Sequence, residues 1–120
     1  AAEASPGLPW WRRALALLDE LLAAFRQPAF QRRLHAAWAA AGESWEEQRR
    51  AKSEVCCEAQ LGILPRHGFQ DSPEGAAQVR MALEGTPGLL AVPEVSRMYQ
   101  WLQWLTTPVL QAAQPRGPDS

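Results

Sequence analysis

Few residues in this chain are equipped for chemistry. Cys56 and Cys57 are adjacent, and with His67 they are the nearest approach to a metal-ligand set. Consecutive helical residues point about 100° apart, so the two thiols do not close on one ion. A zinc site also takes four ligands, and no fourth stands nearby. Cys56 reads instead as a small core residue. Neighbouring cysteines rarely bridge each other, so the pair fits a reducing compartment. His35 falls on the rim of an apolar helical face. His67 sits in Pro65-Arg66-His67-Gly68, where an imidazole can donate to a helix-end carbonyl. The acid pairs Asp19-Glu20 and Glu46-Glu47 diverge on a helix and read as solvated faces. Gly85-Thr86-Pro87-Gly88 lacks the lysine and the strand-to-helix setting of a phosphate loop. No serine carries a nucleophile signature. These residues predict no catalytic site, no metal and no cofactor.

Tryptophan is the residue in excess, with six among 120 residues. Trp11, Trp38 and Trp45 fall on apolar stripes and are expected in the core. Trp104 lies about 140° from the centre of the last helix's stripe, and Trp101 about 80°. Three apart, they are neighbours on the helix surface. Outward tryptophans are common at interfaces, so Tyr99, Trp101 and Trp104 are expected to form a partner-binding ridge for another protein. The competing arrangement has the C-terminal segment, with Val109 and Leu110, fold back over them. Lys52 falls in the middle of an apolar stripe. Its ammonium either snorkels to solvent or pairs with a glutamate. An inter-helix pocket lined by Trp38, Trp45 and Cys56, for a small molecule, is the alternative to protein docking.

The elements that must position these groups are helices. Trp11, Leu15, Leu18, Leu22 and Phe25 form a stripe of helical period, flanked by Trp10, Ala14, Leu17 and Leu21. So wide an apolar face expects more than one neighbour. Pro28 ends this helix and opens a second, with Phe30, Leu34, Trp38 and Ala41 on one side and Gly42 as its cap. Ser44-Trp45-Glu46-Glu47 is a capping box for a third helix. Its inward side is Trp45, Lys52, Val55, Cys56, Ala59 and Ile63, and Gly68 ends the segment. Ser72-Pro73-Glu74 starts a fourth helix carrying Ala76, Val79 and Leu83. Pro93-Glu94 starts a fifth, with Val95, Met98, Leu102 and Leu105. No alternating run bounded by a hairpin turn is present. The expected fold is all-α, a compact single-domain bundle of about five helices. A flexible lead at 1–8 precedes a helical domain at 9–106, and a Pro-rich tail follows at 107–120.

Bulk composition bounds the rest. An apolar fraction of 47% with 21% charged residues is that of an ordinary globular domain. The net charge of −1 gives no basic footprint for nucleic acid. No apolar run approaches the ~20 residues of a membrane helix, so no membrane insertion is expected. Residues 1–7 carry no apolar signal core. A cytoplasmic protein is expected. The absence of a leading Met and the Arg-rich, Lys-poor composition make a processed organellar subunit the alternative.

Four short motifs then follow one another in a particular order. Leu18, Glu20, Ala24, Phe25 and Pro28 make a Leu-x-Glu-x3-Ala-Phe-x2-Pro stretch. Gly68-Phe69, Glu74-Gly75 and Pro93-Glu94 come after it. In order and spacing, over residues 15–108, the chain resembles the small eukaryotic protein C-ten family. The resemblance implies a compact helical cytoplasmic protein, linked in vertebrates to brain development, with no assigned active site. None of the motif residues carries over as catalytic. The chain departs from the family in its many tryptophans and its preference for Arg. The functional expectation is a non-enzymatic interaction module, an adaptor or an accessory subunit of a larger assembly.

Overall fold

The computed structural model of the chain describes residues 9–118, so the lead expected at 1–8 lies outside the described residues. Seven α-helices and one 3-10 turn follow in order: α1 (Trp10–Phe25), α2 (Pro28–Ala40), α3 (Trp45–Ala59), α4 (Ile63–Arg66), α5 (Pro73–Gly85), the turn Leu89–Ala91, α6 (Pro93–Leu105) and α7 (Pro108–Ala113). The fold is all-α, and no strand is present among the described residues. No helix there is long and apolar enough to cross a membrane.

The expected five helices are α1, α2, α3, α5 and α6, and two short ones are added. Gly62 has a φ of +83°, which ends α3 at Ala59 and lets Ile63–Arg66 turn as a separate α4. Pro108 opens α7 instead of dissolving the tail. A proline lacking its N–H loses nothing at a first helical position. The same device opens α2 at Pro28, α5 at Pro73 and α6 at Pro93. Side-chain caps complete two of the starts. Ser44 Oγ accepts from the Glu47 N–H at 3.3 Å, and Ser72 Oγ from the Gly75 N–H at 3.1 Å.

Helix α1 lies at the centre. It packs chiefly on α6 and also meets α2, α3 and α4. Its buried residues are Ala14, Leu17, Leu18, Leu21, Leu22 and Phe25, while Trp11 and Leu15 are half-buried. The inner face is therefore turned from the expected stripe toward its Leu17–Leu21 flank, because neighbours close on both sides. Helix α6 turns likewise: Val95, Tyr99 and Leu105 are buried, and Met98 and Leu102 lie at the edge.

The motif residues hold joints between these helices. Gly68, at φ +87°, ends α4 in a left-handed turn. Its N–H reaches the Pro65 carbonyl at 3.2 Å, and the Phe69 N–H reaches Leu64 at 3.0 Å, the paired bonds of a Schellman cap. Phe69 then meets Trp10 of α1, ring centres 6.5 Å apart. Glu20, on α1, receives this turn. Arg66 Nε donates to its Oε1 at 3.1 Å, Arg66 Nη2 adds a second bond, and His67 Nε2 meets Oε2. His67 thus serves Glu20 instead of a helix-end carbonyl. The Arg66 hydrogen bond, with those of His67, holds the Glu20 carboxyl below its ordinary pKa against a partial opposing effect of burial.

A carboxyl depressed in the fold contributes its stability above its unfolded pKa and loses it as pH falls through the folded one. Glu20→Gln is expected to lower stability at pH 7 by about 1 kcal/mol, the upper range for a partly exposed pair. That difference from wild type should close as pH falls below the ordinary carboxylate range. Urea midpoints at pH 7 and at successively lower pH check this, and a difference that does not shrink as pH falls would refute the clamp.

Candidate functional site

The C-terminal end of the molecule is built from a glutamine network that nothing in the sequence pattern announces. Gln31 Nε2 donates to the carbonyls of Phe25 at 2.7 Å and Leu105 at 2.9 Å, capping the ends of α1 and α6 together. Gln111 of α7 donates to Gln31 Oε1 at 3.1 Å and to the Trp104 carbonyl at 2.9 Å. His35, exposed as expected, meets Gln111 Oε1 at 2.6 Å. These bonds seat α7 against α2 and α6.

With α7 seated, the segment after it returns across Trp101 and Trp104. Trp104 Nε1 donates to the Gln114 carbonyl at 2.7 Å. Gly117, at φ +91°, is buried so close to Trp101 that a Cβ there would lie 2.3 Å from the ring. The two indoles meet edge to face at 5.4 Å, and Arg26 stands 5.9 Å over Trp101. Both indoles are half-buried. Tyr99 is in the core, 9% exposed, its hydroxyl donating to Glu84. Burial and that bond push the phenol up to about 12. The outward ridge expected of Tyr99, Trp101 and Trp104 is thus covered by the chain's own C-terminal segment or turned inward. The apolar part of that segment faces out instead, with Val109 59% and Leu110 40% exposed.

Trp45 departs from expectation in the opposite sense. It is 65% exposed. As the first residue of α3 it leans back off the helix start, where no element covers it. Arg49, one turn on, stacks its guanidinium 4.5 Å from the ring. Trp38 is half-buried against α2's neighbours and Trp11 half-buried on α1.

A cleft does open between helices, away from Trp38 and Trp45. One part, about 300 Å3, runs between α3 and α5 and is lined by Arg49, Lys52, Cys56 and Arg80 among others. An adjoining part, about 410 Å3, continues between α3, α5 and α6 over Phe25, Val79, Leu83 and Leu102. Lys52, Cys56, Ala76 and Arg80 belong to both parts and form the seam. Lys52 Nζ donates to Thr107 Oγ1 at 3.0 Å. It pairs with no glutamate among the described residues. Burial pushes its ammonium below the usual value, and Arg80 beside it adds to the shift. Burial also pushes the Cys56 thiol up to about 12, so the thiol stays protonated at neutral pH and is no ready nucleophile.

No family model, curated protein or solved structure matches this chain. Two surfaces therefore stand on their own residues: the Trp45–Arg49 projection at the start of α3, and the cleft behind it.

Proposed function

We propose that this chain is a non-enzymatic helical interaction module, an adaptor or accessory subunit of a larger assembly, as its likeness to the protein C-ten family implies, acting in the cytoplasm. Trp45 carries the reading. A tryptophan left 65% exposed, with a guanidinium stacked on it, combines the two residue types most enriched in binding hot spots. Arg49 has no carboxylate partner among the described residues, and stacking leaves its in-plane donors available. The matching partner surface is an apolar pocket bordered by a carboxylate.

Trp45→Ala removes an exposed side chain and should leave unfolding within about 0.5 kcal/mol of wild type. In affinity purification from the native source, a stoichiometric partner should accompany the wild type and be lost from Trp45→Ala. A partner kept by Trp45→Ala but lost from Trp104→Ala would move the contact to the covered ridge. A monomer in every case would remove the module reading.

A second reading, a helical domain that binds a small molecule, is favoured by the cleft between α3, α5 and α6, whose 410 Å3 part lies within the range of ligand pockets.

A further inference from the structure

The segment that crosses Trp101 and Trp104 covers them without belonging to the core. Among residues 107–118 only Gly117 is buried, and it brings no side chain. The apolar side chains of this stretch, Val109 and Leu110, face solvent. Polar contacts hold it instead. Lys52 Nζ donates to Thr107 Oγ1, Gln111 joins Gln31 and the end of α6, and the Trp104 indole N–H meets the Gln114 carbonyl. Such bonds replace bonds to water and add little net hold. Segments with few buried apolar contacts open locally while the core stays folded.

The covering element is a closed turn. The Gly117 N–H donates to the Gln114 carbonyl at 2.9 Å, with Pro115 and Gly117 at the second and fourth positions that such turns favour. The same carbonyl takes the Trp104 Nε1 bond at 2.7 Å. The turn lays its glycine on the outer edge of Trp101, where a Cβ would come 2.3 Å from Cη2 and 2.7 Å from Cζ3. The ridge therefore reads two features, a turn carbonyl and a residue without a side chain. Both are backbone features that a turn in another chain can present. The fit is also incomplete. A depression of about 220 Å3 stays open between Gln100, Gln103 and Trp104 of α6 and Leu110, Gln114 and Pro118.

We infer that the Trp101–Trp104 ridge is a docking surface for a Pro-x-Gly turn of another protein, and that residues 114–118 are a latch occupying it in cis. An incoming turn reproduces the carbonyl and the glycine, and its flanking side chains fill the depression that the latch leaves. The latch is tethered to α6 through α7, so it competes at a high effective concentration. A turn with additional contacts is needed to displace it. This goes beyond the Trp45 contact and does not rest on it.

Gly117→Val in the full chain drives a side chain against Trp101 and dislodges the latch while leaving the ridge intact. A thermal melt and unshifted amides in α1–α5 check that the domain stays folded. A labelled peptide of residues 112–118 should bind this variant saturably, and about tenfold or more tighter than wild type, whose latch competes. The same peptide carrying Gly117→Val should not bind. Adding Trp104→Phe to the Gly117→Val chain removes the Nε1 donor and should weaken peptide binding about fivefold or more. Adding Trp45→Ala instead should leave it unchanged. In wild type, the Gly117 amide should exchange with deuterium about tenfold or more faster than the buried Tyr99 amide.

Gly117 exchange as slow as that of Tyr99, or loss of the whole fold in Gly117→Val, would make the segment part of the core and overturn the latch. Equal peptide affinity for wild type and Gly117→Val, or binding to neither, would overturn the docking surface. Binding unmoved by Trp104→Phe and by the substituted peptide would overturn the turn chemistry. Concentration-dependent dimerisation of the wild type in sedimentation would assign the incoming turn to a second copy of this chain and overturn the foreign partner.

Discussion

Leu17→Ala is expected to lower the unfolding free energy by about 2–5 kcal/mol, the range for emptying a fully buried leucine site. Leu17 has no exposed surface and lies on the helix that α2, α3, α4 and α6 all meet. A cavity there has packed helices on several sides, so the site cannot collapse easily, and the upper part of the range applies. A domain of this size holds about 5–15 kcal/mol in total, so the variant sits near the edge of folding at 37 °C. Urea unfolding at 25 °C reads the effect as a lower midpoint at unchanged slope. Leu61→Ala is the control. Leu61 is 62% exposed, and its removal should change stability by less than about 0.5 kcal/mol. A Leu17→Ala loss as small as the control's would mean that the inner face of α1 is not packed as described.

Gly75→Ala should destabilise by about 1–3 kcal/mol, although in an open helix interior the same change stabilises by about 1 kcal/mol. The reversal has a specific cause. Gly75 is the third residue of α5, and its backbone runs against the chain entering the helix. A Cβ there would lie 1.8 Å from the Gln70 carbonyl oxygen and 2.6 Å from its carbon. Main chain cannot swing aside as a flexible side chain can. Either the 70–72 turn shifts, breaking the Ser72 cap on the Gly75 N–H, or the first turn of α5 unwinds. Gly85, at the other end of the helix, has open space around a notional Cβ. Gly85→Ala should therefore be neutral or stabilising. Equal responses at the two positions would remove the close-approach argument.

The second residue of the Glu74-Gly75 motif is thus explained by packing, as are several others. Phe25 and Leu18 fill the core, Glu20 clamps α4, and Gly68 supplies a left-handed cap. What was legible in the sequence was local. Ser44 and Ser72 announce their helices because a hydroxyl, a backbone N–H and a spacing of three are enough. Prolines at 28, 73 and 93 mark helix starts for an equally local reason, a fixed φ and no N–H to lose. At 108 the sequence offers no such signal, since the several prolines of 107–120 resemble a tail, and yet Pro108 opens α7.

What was not legible depends on distant neighbours. Helical period places Trp45 on the same stripe as Val55, but only the course of α2 decides that nothing covers the helix start. Trp104 points away from the centre of the α6 stripe, yet Gln111, seven residues later, brings the chain back over it. The cleft belongs to three helices separated by long stretches of sequence, so no single periodicity outlines it. Its one visible mark was Lys52, a cation at an apolar position. The reason, a seam between two depressions, needed α5 and α6 in place.

The pairing of α1 with α6 has a consequence for how the chain is made. A polypeptide leaves the ribosome from its N-terminal end, and α1 emerges before the helices it packs against, with its broad leucine face complete. Its principal partner, Pro93–Leu105, is synthesised only after α2, α3, α4 and α5. At about 5–20 residues per second, some seconds pass in which α1 has α2, α3 and α4 to lean on but no lid. Over that interval the nascent chain presents a leucine-rich surface of the kind that holding chaperones take up. Closure of the core therefore waits on the synthesis of α6, and slowing elongation across the 70s and 80s would prolong that exposure.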